Sequence, residues 1–339
     1  MPSGAQIAWA RTGRTDAPTV IRVAHWLTNV EHDLRSPLWG PWVARLSRSF
    51  RLVRYDERGC GLSVGDEQMQ PTLDSWLEEL DAVVRANGER RVALLGVSGA
   101  APVAIAYAAR HPERVSHLVL LGGYMNGALQ RAPTDAERAY LEAQWRLIET
   151  GWSRDDPAVR EFFSSRFIPD ATPEVRAGMN EQQRRSCEGL RAALLLRGRA
   201  MLDVRALAPQ VSVPTLVLHA EGDRACPIAL GHAIAAAIPG ARFEALASAN
   251  HVPLGHEPAF ERFCGAVADF IAGAPWLAAL TPRERALASL VAQGLDNAQI
   301  AARLGLADKT VRNALSHFYA KLGGDNRARA VARCRDLGL

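Results

Sequence analysis

Ser98, Asp223 and His251 carry the residue types needed for nucleophilic catalysis, and each sits where a strand should end. An uncharged serine is a weak nucleophile. It needs a base within hydrogen-bond reach, and the base needs a carboxylate to fix its tautomer and stabilise the imidazolium. Ser98 lies in Val92-Ala93-Leu94-Leu95-Gly96-Val97-Ser98-Gly99-Ala100, an apolar run without alternation that is followed at once by an apolar stretch of helical length. That pattern predicts a buried parallel strand turning sharply into a helix. Gly96 and Gly99 flank the serine where backbone must pass close to backbone. Such a corner lifts the hydroxyl out of the sheet and aims the helix's first N–H groups at whatever approaches it. Asp223 would equally serve as a plain helix cap, and His256 is the next candidate base after His251.

The elements that must position these residues alternate along the chain. Strands are expected at Gln6 to Ala10, Thr19 to Leu27, Arg51 to Asp56, Val92 to Val97, Arg114 to Leu121, Pro214 to His219 and Arg242 to Leu246. Helices are expected at Leu38 to Ser49, Asp74 to Asn87, after Ser98, at Ile228 to Ile238 and from Glu257 to Ile271. This alternation implies a mostly parallel sheet covered on both faces. From Met125 to Leu207 it stops, and the sequence is helical, arginine-rich and marked by aromatics such as Trp145, Trp152, Phe163 and Phe167. We read that stretch as an inserted helical cap whose aromatics either line a pocket or form plain core. Groups on a parallel sheet converge when they occupy loops at the strands' carboxyl ends, and Ser98, Asp223 and His251 all do.

The order Ser, Asp, His with strands between resembles the α/β-hydrolase fold, over about residues 5 to 272. The D-x-R-G-x-G-x-S loop at Asp56 to Ser63 and the D-x-x-x-P at Asp223 to Pro227 belong to the same resemblance. It implies catalytic roles for Ser98, Asp223 and His251, and an oxyanion hole built from the N–H groups of Trp26 and Gly99. Two positions depart from the family pattern. Ala100 replaces the usual glycine two after the serine, and His25-Trp26 replaces the usual His-Gly, so the Trp26 indole either narrows the acyl pocket or forms its wall.

The last sixty residues have another character. From Thr281 to Leu339 there are ten Lys or Arg against five Asp or Glu, a net of +5 that exceeds the +4 of the whole chain. Such a concentrated surplus is what a nucleic-acid footprint would look like, and a solvated helical surface gives the same count. Thr281 and Glu284 form a capping box with Pro282 at the first helical position, and Gly294 ends the helix. A second helix is expected at Asn297 to Leu304, a glycine turn at Gly305, a third helix at Asp308 to Leu322 and a fourth at Asn326 to Leu337. Two short helices about a glycine turn, the second opening with Lys, Arg, Asn and Ser, offer donors to base edges and phosphates in the major groove. L-T-x-R-E at Leu280, N-x-x-I-A at Asn297, K-T-V-R-N at Lys309 and K-L-G at Lys321 identify the tail as similar to LuxR-type DNA-binding domains. The resemblance implies DNA contacts from Lys309, Thr310, Arg312, Asn313, Ser316 and Lys321. Ala307 and Ala314 stand where serine and histidine are usual, which removes one cap and one phosphate contact.

The expected organisation is therefore an α/β-hydrolase-like domain over 1–272 with its cap at about 125–207, a linker at 273–279 and an all-α four-helix DNA-binding domain over 280–339. With 48% hydrophobic and 22% charged residues the composition is that of an ordinary globular protein. Five scattered cysteines, with no C-x-x-C pair, suit a reduced compartment and argue against a metal site. The amino terminus shows no signal-peptide pattern and no run is long enough to cross a bilayer, which points to the cytoplasm, with no membrane partner. No cofactor is expected. The sequence thus predicts a transcriptional regulator, a homodimer on double-stranded DNA, whose hydrolase-like pocket senses a small apolar molecule such as an ester or lactone. The rival reading is an active serine hydrolase coupled to transcription through its tail.

Overall fold

A computed structural model describes residues 4–132, 134–272 and 280–321, together with Arg327, Ala330, Val331 and Cys334. The chain divides into two compact units, Met1–Ile271 and Ala272–Leu339. The expected linker at 273–279 lies outside the described residues, as do the side chain of Lys321 and most of the expected fourth tail helix.

The first unit is a seven-stranded sheet of β1 (Trp9–Gly13), β2 (Thr19–Arg22), β3 (Arg51–Tyr55), β4 (Val92–Val97), β5 (Val115–Leu121), β6 (Thr215–Ala220) and β7 (Arg242–Leu246). The spatial order is β1-β3-β2-β4-β5-β6-β7, and only β1 runs antiparallel to its neighbour. Every residue of β2, β4 and β6 is buried, as expected of central parallel strands with both faces covered. Beside them lie α1 (Trp39–Ser47), α2 (Leu73–Asn87), α3 (Ala101–Arg110) and, after the cap, helices at Ile228–Ala237 and Pro258–Ala272. One apolar cluster gathers Leu80, Val83 and Val84 of α2 with Ala104 and Ile105 of α3; another gathers Trp42 with Phe260 and Phe263. These clusters hold the two helical layers on the sheet.

Two strand boundaries differ from expectation. The first strand is shifted from Gln6–Ala10 to Trp9–Gly13, because Gln6 makes an isolated bridge to Val64 and the ladder to β3 begins at Trp9. The second stops at Arg22 rather than Leu27. Leu27 adopts φ +68, a left-handed conformation that cannot continue a strand, and the chain there turns toward the cap.

The cap follows β5 as α4 (Ala128–Arg131), α5 (Asp135–Gly151), α6 (Ala158–Phe167), α7 (Pro173–Ser186) and α8 (Gly189–Met201). Thr134 and Glu137 close a reciprocal capping box on α5, and the Thr172 hydroxyl accepts from Val175 N–H at the start of α7. Its own core is the cluster Leu27, Ile148, Trp152, Phe163, Ala192 and Ala193, with Trp26 packed against it.

With α9 assigned to Ile228–Ala237 and α10 to Pro258–Ala272, the second unit contains α11 (Pro282–Ala292), α12 (Asn297–Leu304) and α13 (Asp308–Lys321). Arg327, Ala330, Val331 and Cys334 are also helical. Thr281 with Glu284, and Asp296 with Gln299, form complete capping boxes at the first two helices. Gly305 caps α12 at φ +65, a backbone conformation that favours glycine at the turn between the two helices. No helix among the described residues is long and apolar enough to cross a membrane.

Candidate functional site

The loops at the carboxyl ends of β2, β4, β6 and β7 carry Trp26, Ser98, Asp223 and His251 respectively. Ser98 takes φ +53, so the corner after β4 is a strained left-handed turn held by the packing around it. Close packing makes that corner possible: a Cβ on Gly123 would lie 2.3 Å from the Ala101 side chain. His251 Nδ1–H donates to Asp223 Oδ2 at 2.5 Å, leaving Nε2 as the basic nitrogen. The other carboxylate oxygen accepts the N–H groups of Ala225 and Cys226 at 2.8 and 2.9 Å. His219 stands 3.3 Å from Asp223 Oδ2, its Nε2–H donating to the Cys226 carbonyl at 2.7 Å. Burial opposes ionisation of Asp223, but the charge of His251 and the hydrogen bonds from His219, His251 and Cys226 N–H outweigh it. The carboxyl is held well below its ordinary value.

His251 Nε2 has no hydrogen-bond partner among the described residues, so Ser98 Oγ is not bonded to it here, and Cys226, a free thiol, lines a cavity together with Ser98. Burial, then the charge of Asp223, pushes that thiol up to about 12, so it is a protonated neighbour and not a competing nucleophile. Catalytic hydrogen bonds of this kind are often long or absent in ligand-free sites and tighten when the site is occupied. The cap helps to fix the histidine: His251 N–H donates to the Phe167 carbonyl at 2.8 Å, and the two rings lie 5.5 Å apart.

Trp26 resolves the question left by its unusual position. Its indole N–H donates to the Ala192 carbonyl of α8 at 3.1 Å, and its ring packs on Trp152, Phe163 and Phe167 at 5.4, 5.4 and 6.1 Å. Trp26 and Phe167 form a partition between two cavities that meet at Ser98. One, of about 60 Å³, is lined mainly by apolar groups including Leu38, Trp39, Met179 and Val252. The other, of about 160 Å³, lies toward α5 and α8 and includes Arg131, Gln144, Arg166 and Arg199. His25 borders the first cavity; burial drives its imidazole down to about 3, so it is neutral, and Nδ1–H donates to the Trp26 carbonyl at 2.9 Å.

The D-x-R-G-x-G-x-S loop is structural. Asp56 accepts from the N–H groups of Val30 and Leu62 at 2.8 and 2.9 Å, and the Ser63 hydroxyl donates to the Asp56 carbonyl at 2.6 Å. Within it, however, Glu57 accepts from Trp76 Nε1–H and from Arg199, at 3.0 and 2.8 Å. No local sequence pattern marks Glu57, Gln144 or Arg199. An arginine inside an apolar helix reads as a solvent-reaching side chain, and only the fold shows that Arg199 is 1% exposed.

In the second unit, Val311, Leu315 and Phe318 of α13 pack with Leu287, Val291 and Ile300. The opposite face leaves Lys309, Thr310, Arg312, Asn313 and Ser316 exposed. Arg312 pairs with Asp308 at 3.2 Å, an exposed contact that a phosphate or base edge can displace at little cost. Ala307 supplies no side-chain cap, although its carbonyl accepts from Thr310 and Val311 N–H at 2.9 and 3.1 Å.

A mostly parallel sheet with a serine corner after β4, acid and histidine on later loops and a cap inserted after β5 defines an α/β-hydrolase-fold module, here joined to a helix-turn-helix unit. The chain belongs to the serine aminopeptidase S33 family, which matches residues 43–259, and its tail matches the luxR family of bacterial regulatory proteins over residues 278–334. A relative from Klebsiella pneumoniae named "Putative carbamate hydrolase RutD" is 29% identical over 213 residues, covering 60% of this chain and 76% of that one. The tail is 46% identical over 61 residues to the DNA-binding transcriptional activator DevR/DosR of Mycobacterium tuberculosis, covering 18% of this chain and 28% of the activator. The enol-lactonase from Burkholderia xenovorans LB400 has the same fold: TM-score 0.66 at 23% identity, covering 79% of this chain and 97% of the lactonase.

Proposed function

We propose that this DNA-binding transcriptional regulator uses its hydrolase-fold unit as a receptor for a small molecule. The observation that carries the reading is one chain holding both an exposed recognition-helix face, Lys309 to Ser316, and a capped, partitioned pocket at Ser98. Lys309, Thr310, Arg312, Asn313 and Ser316 contact phosphates and base edges, with Lys321 extending the same helix. The protein acts in the cytoplasm as a homodimer, since helix-turn-helix proteins read paired half-sites by two-fold symmetry. A duplex selected from a random pool by the full chain should be retarded by it and not by a chain lacking Thr281 to Leu339. Equal retardation by the truncated protein would overturn the assignment.

A second reading is favoured by the Asp223–His251 bond at 2.5 Å. Here the pocket cleaves a bound ester, lactone or carbamate, the last suggested by the name of the Klebsiella relative. Ser98 Oγ attacks the carbonyl carbon as its proton passes to His251 Nε2, and the N–H groups of Trp26 and Gly99 hold the oxyanion. His251 then protonates the departing oxygen or nitrogen, and water releases the acyl group by the same route in reverse. Intact-protein mass after exposure to a fluorophosphonate separates the readings: a phosphonyl adduct absent from Ser98→Ala means the machinery is assembled, and no adduct leaves a receptor alone.

A further inference from the structure

The cavity on the α5 and α8 side of Trp26 has an uneven polar inventory. Arg131, Arg166 and Arg199 line it, and no carboxylate among the described residues does. Arg199 is 1% exposed and packs with its guanidinium 4.5 Å from the Trp76 ring centre, donating through Nη2 to Glu57 and the Ala24 carbonyl. Its remaining donor groups, Nε and Nη1, are buried and meet no acceptor among the described residues, and the same holds for Nε2 of Gln144. Buried donors left without acceptors are costly, so three of them around one cavity mark a place for an acceptor-rich group. Their position is also informative. A Cβ on Gly99 would lie 2.6 Å from Arg199 Cδ, 2.9 Å from Nε and 3.2 Å from the Tyr124 hydroxyl. The guanidinium therefore stands beside the residue after Ser98.

We infer that Arg199 and Gln144 form a carboxylate-binding subsite, so that the ligand of this pocket is a small carbonyl compound bearing a carboxylate remote from the carbonyl facing Ser98. The proposal rests on the reading of the hydrolase-fold unit as a ligand site and specifies the ligand's chemistry. Arg199 offers Nη1–H to one carboxylate oxygen, Gln144 offers Nε2–H to the other, and Arg131 and Arg166 make the surrounding potential positive. The apolar part of the ligand then occupies the cavity beyond Trp26, lined by Leu38, Trp39 and Val252. The small, largely apolar molecule expected from the sequence is thereby narrowed to one with a single anionic end.

The test uses full-length Ser98→Ala protein, which holds ligand without turnover, and calorimetric titration with the monomethyl and dimethyl esters of succinic and glutaric acids. The monomethyl esters, which carry one carboxylate, should bind saturably and at least about tenfold more tightly than the uncharged dimethyl esters. Butyrate and valerate form a second arm: binding equal to that of the monoesters still supports the subsite and shows that a free acid suffices, whereas weaker binding shows that the ester half is also held. Gln144→Leu should reduce monoester affinity by about threefold to tenfold. The pair Arg199→Gln with Glu57→Gln, which leaves no buried charge unmatched, should abolish the preference for charge while retaining a cooperative melt. Equal affinity for monomethyl and dimethyl esters, equal competition by chloride or sulfate, no saturable carboxylate binding, or an unchanged preference in the double variant would overturn the proposal. DNA retardation by the same samples reports separately on the regulator reading.

Discussion

Asp223→Asn isolates the role of the carboxylate. In the structure both oxygens of Asp223 accept hydrogen bonds: Oδ1 from Ala225 and Cys226 N–H, Oδ2 from His251 and His219. Asparagine can match only one of these sides. The two backbone N–H groups cannot change character, so the amide oxygen faces them and the NH₂ faces His251. The imidazole must then accept at Nδ1 and carry its proton on Nε2, the tautomer that cannot take a proton from Ser98. Fixing the wrong tautomer removes about 10³- to 10⁴-fold of serine reactivity, about 4 to 5 kcal/mol of barrier. The assay is the rate of fluorophosphonate labelling followed by intact mass, with circular dichroism to confirm the fold. Labelling of Asp223→Asn within about threefold of the parent rate would refute the assigned tautomer and the role of the carboxylate.

Three further outcomes are expected. Cys226→Ala keeps the backbone N–H and carbonyl that hold Asp223 and His219, so labelling should stay within about threefold of the parent rate; a loss of about tenfold or more would contradict the assignment of these contacts to the backbone. Burial, then the charge of Glu57, raises the Glu79 carboxyl to about 7 from 4.5, so its contribution to stability is present below the unfolded value and is lost as pH rises through about 7. Glu79→Gln removes that loss, and its melting temperature relative to the parent should climb between about pH 5 and pH 8; a constant difference would count against the buried, raised carboxyl. Arg312→Ala should weaken DNA binding, lowering the salt slope by about one if Arg312 meets a phosphate or relaxing sequence choice if it reads a base; unchanged affinity for every duplex would remove Arg312 from the interface.

How far the sequence alone reaches can be judged from particular residues. The strand-to-helix corner at Ser98 was legible because buried parallel strands are continuously apolar, and the corner's glycines are confined to few roles. Asp223 and His251 were legible through their places after strands, which is a property of topology. The edge strand was misplaced because it is half-exposed, and its register is set by pairing with β3 rather than by any apolar run. The early end of β2 depends on Leu27 at φ +68 and on a Trp26 indole held by α8, a contact across 166 residues that no local pattern announces. The same applies to Arg199, whose partners Glu57, Ala24 and Trp76 come from distant loops and helices. In the tail the capping boxes and Gly305 were readable directly, since cap chemistry is local.

The proposed receptor role requires that filling the pocket at Ser98 change DNA binding through residues 280–339. The direct measurement is the dissociation constant of the full chain for its selected duplex at fixed salt, before and after Ser98 is phosphonylated, with Ser98→Ala treated identically. Filling the pocket should shift the constant by at least about fivefold in the parent and leave the variant unmoved. Identical constants for the labelled and unlabelled parent would contradict it.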